Sequence, residues 1–236
     1  MLPLPYPVPG GSLDELRRFV NVDRKTWPPV VAGMVGAAGP GPKPILLFQA
    51  DQGSYKSYTM RETRRAIDPN QADLRGSPDN VKDLVISAKN GCFVALDNLS
   101  RVPHWLADAL CRISTGAGLG CRALYTDDDE KLLNVQATIM VTAIEELTRR
   151  EDFLDRRLLI ELPPMTKGRD YEEELDRDYE AARPRILGAL LTAVSAALKN
   201  RATTKLAHVP RMADFARWVT AAESGLGSKP GEFMRH

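Results

Sequence analysis

The sequence predicts an α/β protein in which a parallel sheet is flanked by helices and followed by a helical C-terminal lid. Continuous apolar runs are typical of strands that are buried on both faces, as in parallel sheets. Such runs occupy residues 45–48, 92–97, 137–141 and 157–162. Helical spacing separates several of these runs and continues throughout the region beyond the last one. Strands that alternate with helices define the α/β class.

The helices and turns are predicted from local signals. Ser12 and Glu15 form a capping box ahead of a short N-terminal helix, and Pro28 is a suitable first-turn residue for the next one. Acidic residues at 127–130 separate two short apolar stretches, which predicts a hairpin with a solvated acidic tip. Further helices are predicted at 59–67, 79–89, 103–113, 170–182, 185–198 and 211–222, and the hairpin strands at 122–125 and 132–135.

The first strand leads into a loop that ends in Lys56-Ser57, here called the Lys-Ser loop (residues 50–57). Strand, loop, Lys-Ser and helix is the order of a phosphate-binding P-loop, which binds triphosphate with backbone N–H groups and a lysine and binds Mg²⁺ with a hydroxyl. In this chain Ala50 and Tyr55 replace the two motif glycines, and Gly53 remains. The motif leaves two alternatives, a nucleotide site or an ordinary strand-to-helix turn.

The second apolar run ends in Asp97, which Asn98 follows. Ligands of parallel sheets lie at the carboxyl ends of the strands, so a carboxylate at this position could hold Mg²⁺ opposite the Ser57 hydroxyl. A strand capped by an Asp-Asn turn is the alternative. The nucleotide hypothesis requires the Lys56 ammonium and the Asp97 carboxylate to lie side by side, at the ends of adjacent strands, with the Tyr55 ring outside the pocket.

Composition limits the class of protein. The 236 residues are 43% hydrophobic and 27% charged, which suits one globular domain with or without a small appendage. No apolar run is close to the ~20 residues of a membrane span, and residues 1–11 do not resemble a signal peptide, so we expect no membrane association. Three cysteines without a C-x-x-C pair indicate neither a disulfide framework nor a zinc site, and favour the cytoplasm.

Three segments are expected along the chain. Residues 1–24 form a proline-rich extended arm and an N-terminal helix, residues 25–165 form a P-loop ATPase core, and residues 166–236 form a helical C-terminal subdomain. Charge is segregated within the last segment: residues 166–182 include seven acidic and three basic residues, whereas residues 183–217 include seven basic and one acidic. The basic part offers contacts to nucleic-acid phosphates.

The order of these features resembles that of AAA+ ATPases of the helicase branch, which belong to the ASCE class of P-loop proteins. More closely, the chain resembles the ATP-binding or primase-helicase-associated proteins of phages and mobile elements. The likeness covers nearly the whole chain and is carried by the strings GGSLDELRRFVN, QGSxKS, IDPNQADLR, ALDNLS, WLADALCRISTGAG, RALYTDDDE, DFLDRRLLIEL and PRMADFARW. The resemblance implies ATP and Mg²⁺ as ligands, DNA as a partner, and a homo-oligomer such as a hexameric ring.

The resemblance also implies roles for individual residues. Lys56 would bind the β- and γ-phosphates, Ser57 and Asp97 would bind Mg²⁺, and Arg156 would reach the nucleotide of a neighbouring subunit. Arg185, which is expected to open a helix, is a candidate for the lid arginine that senses the γ-phosphate. The loop residues expected to contact the nucleotide are Asp51, Gln52, Gly53, Ser54, Tyr55, Lys56, Ser57 and Tyr58.

The chain departs from the family pattern at catalytic positions. Thr142 stands where the family usually has an asparagine that orients the attacking water, and Asn98 stands where many ATPases have a catalytic glutamate. An asparagine cannot act as a base, so Asp51, Glu145 or Glu146 would have to polarise the water.

Three functions remain open from the sequence. The first is an ATPase that acts on DNA as a replicative helicase or translocase subunit of a phage or mobile element. The second is a catalytically degenerate module that binds nucleotide and regulates or scaffolds a replication or defence complex. The third is an α/β enzyme in which the Lys-Ser pair is a coincidence.

Overall fold

The computed structural model describes residues 2–51, 53–122, 130–143, 147–165 and 171–235. Its strands are β1 Ile45–Gln49, β2 Phe93–Leu96, β3 Leu119–Arg122, β4 Glu130–Leu133, β5 Thr138–Ala143 and β6 Arg157–Glu161. Its α-helices are α1 Trp27–Ala37, α2 Lys56–Arg65, α3 Val81–Lys89, α4 His104–Thr115, α5 Glu151–Leu154, α6 Glu172–Asn200 and α7 Ala213–Ala222. A 3₁₀ helix at Leu13–Arg18 precedes α1, and two others, Glu223–Leu226 and Phe233–Arg235, follow α7.

Four strands form one sheet in the order β2-β5-β1-β6, and every neighbouring pair is parallel. The predicted class, an α/β protein with a parallel sheet flanked by helices, is therefore confirmed. The expectation that Lys56 and Asp97 follow adjacent strands is wrong, because β5 lies between β1 and β2. Apolar runs identify buried strands, but lateral order depends on which strands pair at long range.

The central strand β1 faces two separate apolar clusters, because successive side chains of a strand point to opposite faces of the sheet. Leu46 and Phe48 belong to a cluster that includes residues of α1, α6, α7 and the N-terminal 3₁₀ helix. Ile45 and Leu47 belong to a second cluster, formed with α3, α4 and α5. The two ends of the chain therefore cover one face of the sheet together.

The C-terminal helices differ from the prediction. The sequence predicts separate helices at 170–182 and 185–198, but the structure has the single helix α6, with Pro184 inside it. A proline in a helix interior lacks an N–H donor and usually kinks or ends the helix. Here the Pro184 carbonyl accepts a hydrogen bond from the Val8 N–H at 2.9 Å. Gly188 makes room for this contact, since a Cβ atom there would lie 1.9 Å from the Val8 carbonyl oxygen.

Helix α6 bears on the expectation that the chain has no membrane span. By length and composition alone it is apolar enough to cross a membrane, and half of its apolar window is buried inside the protein. Ile186 and Leu190 of this window lie in the cluster that covers the sheet. Core helices of globular proteins have the same length and composition, so this helix is weak evidence for membrane insertion.

The predicted capping box is confirmed in full, and the predicted hairpin is confirmed with shifted strand bounds. The capping box is present, with the Asp14 N–H donating to Ser12 Oγ at 3.1 Å and the Ser12 N–H donating to Glu15 Oε1 at 3.3 Å. The hairpin is also present, since β3 and β4 pair in antiparallel fashion, although both strands begin earlier than predicted. The residues of its predicted acidic tip at 127–129 lie outside the described residues.

Asp68 is a buried carboxylate in the turn after α2, with 0% of its surface exposed. It accepts a hydrogen bond from the Phe93 N–H at 3.0 Å and another from the Arg64 guanidinium at 3.4 Å. A Cβ atom at Gly91 would lie 2.4 Å from Asp68 Oδ2, so only glycine fits beside this carboxylate. Asp68 therefore fixes the start of β2 against α2, which is a structural role.

We expect Asp68→Ala to lower the free energy of unfolding by roughly 3–5 kcal/mol, because removing one partner of a buried ion pair leaves the other charge unpaired. Urea unfolding followed by circular dichroism measures this change. Asp79→Ala removes an exposed aspartate from the same region and should change the free energy by less than about 0.5 kcal/mol. Equal effects of the two substitutions would contradict the structural role of Asp68.

Candidate functional site

The candidate site lies at the carboxyl edge of the sheet, where the Lys-Ser loop follows β1 and Asp97-Asn98 follows β2. In the described part of the chain, Tyr55 and Asn98 are the two non-glycine residues with a left-handed backbone, with φ of 58° and 55°. Both lie at this edge. Strained backbone of this kind costs free energy and is concentrated at functional sites, which favours this edge as the location of a ligand site.

Asp97 is the centre of a hydrogen-bond network at this edge. Its Oδ1 accepts from the Ser57 hydroxyl at 2.8 Å and from the Thr142 hydroxyl at 2.5 Å. The Thr142 hydroxyl in turn accepts from the Asn98 N–H at 2.7 Å. Thr142 is located at the end of β5, so the intervening strand supplies the link between the two halves of the site.

The network changes the interpretation of Thr142 and Asn98. The Thr142 side chain is buried and donates its proton to Asp97, so it orients that carboxylate and has no second proton for a water. Asn98 contributes its backbone N–H to the network and is exposed. The catalytic roles that the sequence suggests for these two residues stay predictions.

Lys56 is the first residue of helix α2. Its ammonium donates to the carbonyls of Ala50 and Asp51 at 2.6 and 2.8 Å. Burial lowers the pKa of Lys56, and the carboxylates of Asp51 and Asp97 raise it in part. Carbonyl oxygens are neutral acceptors, and an ammonium forms stronger hydrogen bonds with an anionic acceptor than with a neutral one. The ammonium is therefore held by two neutral acceptors of its own loop.

The Lys-Ser loop leads directly into the first turn of α2. Its Gly53 has φ of 83°, and the Ser54 hydroxyl donates to the Asp51 carbonyl within the loop. The first N–H groups of any α-helix have no partner inside the helix, and α2 begins at Lys56. Gln52, a predicted contact residue, lies outside the described residues.

Tyr55 of the Lys-Ser loop packs against Tyr58 of α2, with ring centroids 5.8 Å apart and an interplanar angle of 69°. Tyr58 is buried, Arg61 stacks on its ring at 4.7 Å, and burial raises the pKa of its hydroxyl to about 12. The Tyr58 side chain thus belongs to the interior, which leaves its backbone as the part able to meet a ligand. Its predicted role in nucleotide binding stays a prediction.

Arg156 lies at the amino ends of the strands, opposite the carboxyl edge that carries Lys56 and Asp97. It immediately precedes β6, and its carbonyl accepts from the Ile45 N–H, at the start of β1, at 2.9 Å. Its guanidinium donates to the Asp152 carbonyl at 2.6 Å. The structure therefore does not bring Arg156 together with Lys56 and Asp97 in one subunit.

Arg185 does not open a helix, because Pro184 and Arg185 both lie inside α6. Its guanidinium pairs with the Glu15 carboxylate of the N-terminal 3₁₀ helix at 2.7 Å, and the hydrogen bond from Arg185 lowers the pKa of Glu15. This part of the lid-arginine prediction is wrong. Its role toward a nucleotide stays a prediction.

The donor set determines which ligands fit this edge. Among the described residues there is no group of three or more His, Cys, Asp and Glu side chains that could hold a metal by itself. Ser57 Oγ and the Asp97 carboxylate offer two oxygens, which suits an Mg²⁺ ion that takes its other ligands from water and phosphate. Glu145 and Glu146, the alternative bases, lie outside the described residues.

Asn21 is a contact of the loop that the sequence reasoning missed. Its side-chain amide donates to the Ser54 carbonyl at 3.0 Å and to the Pro163 carbonyl at 2.7 Å. Nothing in the local pattern around residue 21 marks it, since both partners are distant in sequence.

The chain is thus an α/β protein with a candidate site for an anion and a metal ion at the carboxyl edge of its parallel sheet. The Lys-Ser loop, the Asp97 carboxylate and two residues with left-handed backbone form this site. The family model of the actinomycete integrative conjugative element replication protein matches residues 13–230. The chain therefore belongs to this family of replication proteins, and the resemblance to proteins of mobile elements is confirmed. No curated protein matches the chain.

Solved structures with a similar fold include the C-terminal region of NrS-1, with a TM-score of 0.51 and 14% identity over 80% of this chain and 48% of that chain. SCCmec type IV Cch, an active helicase, has a TM-score of 0.45 and 12% identity over 97% of this chain and 49% of its own. JCV helicase has a TM-score of 0.37 and 12% identity, with coverage of 88% and 63%. The chain spans about half the length of the first two.

Proposed function

We propose that the chain binds Mg-ATP at the carboxyl edge of its sheet and hydrolyses it, as part of a helicase or translocase that replicates a mobile element. The observation that carries the proposal is the Ser57–Asp97–Thr142 network, which places a hydroxyl and a carboxylate beside the first turn of α2. These are oxygen ligands of the kind that Mg²⁺ prefers. Membership in a family of replication proteins supports DNA as the partner.

Each polar group at this edge has a role in the proposal. Lys56 would exchange its loop carbonyls for the β- and γ-phosphates, while the first N–H groups of α2, which have no acceptor within the helix, would bind phosphate oxygens. Ser57 and Asp97 would hold Mg²⁺, which supplies charge neutralisation during phosphoryl transfer when bound. Thr142 keeps the Asp97 carboxylate turned toward Ser57, and Asp51, whose carboxylate acts on the Lys56 ammonium, would polarise water.

Two further parts of the proposal concern partners. Arg156 would act on the nucleotide of a neighbouring copy, so the chain would work as a homo-oligomer such as a hexameric ring. The basic residues at 183–217 would bind DNA phosphates, with an affinity that decreases steeply with salt. The C-terminal helices would serve as the lid of the ATPase core, within a cytoplasmic protein.

A degenerate nucleotide-binding module is the second candidate function, and Asn98 is the observation that favours it. The residue after the Mg²⁺-binding aspartate has an amide side chain that cannot accept a proton. Lys56 already satisfies its charge partly on loop carbonyls. Such a module would keep nucleotide affinity and regulate or scaffold a replication or defence complex without turnover.

We expect Mg-ATP at about 100 times its Kd to stabilise the wild-type protein by about 2.7 kcal/mol, which raises the Tm by about 5–10 °C. Lys56→Ala should abolish this shift and reduce phosphate release to background, because the ammonium neutralises the phosphates. Thermal melting and phosphate release, each with and without single-stranded DNA, measure the two effects. Lys82→Ala, an exposed lysine of α3, is the control and should retain both.

The outcomes separate the candidate functions. A Tm shift with phosphate release that DNA stimulates supports the ATPase. A shift without release from the wild type supports the degenerate module. A wild-type protein with no shift contradicts both.

A further inference from the structure

The segment between the N-terminal 3₁₀ helix and α1 contacts the Lys-Ser loop from outside the sheet. Asn21 donates from Nδ2 to the carbonyls of Ser54 and Pro163, and its own N–H donates to Thr59 Oγ1 at 3.0 Å. One asparagine therefore joins the loop, the first turn of α2 and the segment after β6. Its predecessors Phe19 and Val20 are buried in the apolar core, which anchors its backbone independently of the loop.

The bond to Ser54 fixes the orientation of one peptide group. In a trans peptide the carbonyl and the following N–H point to opposite sides, and the described chain has no cis peptide. With the Ser54 carbonyl held by Asn21, the Tyr55 N–H points away from Asn21. Tyr55 is the left-handed residue before Lys56, and a left-handed tyrosine persists only where its surroundings hold it.

We infer that Asn21 is a positioning residue of the nucleotide site, which holds the Ser54–Tyr55 peptide in the conformation that binds phosphate. The inference rests on the proposed function of this edge as a nucleotide site. An amide suits the position because one nitrogen donates two hydrogen bonds, to two carbonyl oxygens. A carboxylate of the same size would place negative oxygens against both carbonyls.

The chain offers a matched control for this residue. Asn200, at the end of α6, also donates twice from its amide nitrogen, to the Ala221 carbonyl at 3.2 Å and to Ser224 Oγ at 3.0 Å. Its partners lie in α7 and the following 3₁₀ helix. Asn200→Asp therefore makes the same chemical change in a contact that connects helices and does not involve the loop.

The test compares the full-length wild type with Asn21→Asp, Asn21→Ala and Asn200→Asp. We expect both Asn21 variants to raise the Kd for Mg-ATP, and the KM where turnover is measured, by about tenfold or more. The Kd for Mg-tripolyphosphate should rise by the same factor, because Asn21 acts on the phosphate loop. Without nucleotide, hydrogen exchange of the amides at 53–59 should accelerate in the Asn21 variants and not in Asn200→Asp.

Each outcome decides the inference. If the Asn21 variants only lower the Tm, as Asn200→Asp does, with unchanged Kd and unchanged loop exchange, Asn21 is merely structural and the inference is overturned. A loss of ATP affinity without loss of tripolyphosphate affinity assigns Asn21 to the base or ribose and also overturns it. If the wild type does not bind Mg-ATP, the proposed function fails, and unchanged or accelerated loop exchange still decides whether Asn21 holds the peptide.

Discussion

Arg156→Ala is expected to lower the rate of DNA-stimulated ATP hydrolysis on the order of 10³-fold, and to leave Mg-ATP binding nearly unchanged. Arg156 lies at the amino edge of the sheet, beside the start of β1. Lys56 lies at the opposite edge, after the carboxyl end of β1. The five residues of β1 separate the two edges by about 16 Å at about 3.3 Å per residue. An arginine side chain does not cover this distance, so Arg156 acts on a neighbouring subunit or not at all.

Mixing two inactive variants tests the intersubunit role. Lys56→Ala supplies an intact Arg156, and Arg156→Ala supplies an intact Lys-Ser loop, so mixed assemblies should recover part of the phosphate release that each variant lacks alone. Arg157→Ala is the matched control, because Arg157 is the next residue and pairs with Ile45 in the sheet. It should change the rate by about twofold or less. Full activity of Arg156→Ala would remove this arginine from the mechanism.

Asp97→Asn is expected to reduce phosphate release by about 10²–10³-fold and to weaken the dependence of nucleotide binding on Mg²⁺. The substitution keeps an oxygen that can accept from Ser57 and Thr142, so the network at this edge is retained while the charge is lost. A bound Mg²⁺ contributes several kcal/mol of charge stabilisation to the transition state, part of which is lost when its carboxylate ligand is removed, and about 1.4 kcal/mol corresponds to a factor of ten in rate.

The measurement is an Mg²⁺ titration of phosphate release and of the Tm shift with ATP. Asp79→Asn changes an exposed carboxylate and should behave as the wild type. If Asp97→Asn has the same Mg²⁺ dependence as Asp79→Asn, then Asp97 serves only to cap its strand, and the Asp-Asn turn that the sequence also allows is the correct interpretation.

The strands and the candidate site differ in how far the sequence predicts them. Buried parallel strands have a strong local signal, and β1, β2, β5 and β6 all coincide with apolar runs. The Ser57–Asp97 contact could be predicted, because both residues follow strands at the same edge of one sheet. The role of Thr142 could not, since it depends on β5 lying between the two strands.

Long-range contacts account for the remaining differences. Pro184 predicts the end of a helix, but α6 continues past it. The Pro184 carbonyl accepts a hydrogen bond from the Val8 N–H of the N-terminal arm. Asn21 has no local signal, because its partners Ser54 and Pro163 are far from it in the chain. Residues whose partners are distant in sequence cannot be assigned from spacing alone.

The shared apolar cluster of the two chain ends has a consequence for how the protein is made. Leu16 near the start and Trp218 near the end lie in the same cluster as Phe48 of the sheet. Contacts between residues so distant in sequence slow folding, so during synthesis this face of the sheet stays incompletely covered until α6 and α7 have left the ribosome. A nascent chain with such an apolar surface is prone to aggregate, so we expect α6 and α7 to protect the newly made protein from aggregation.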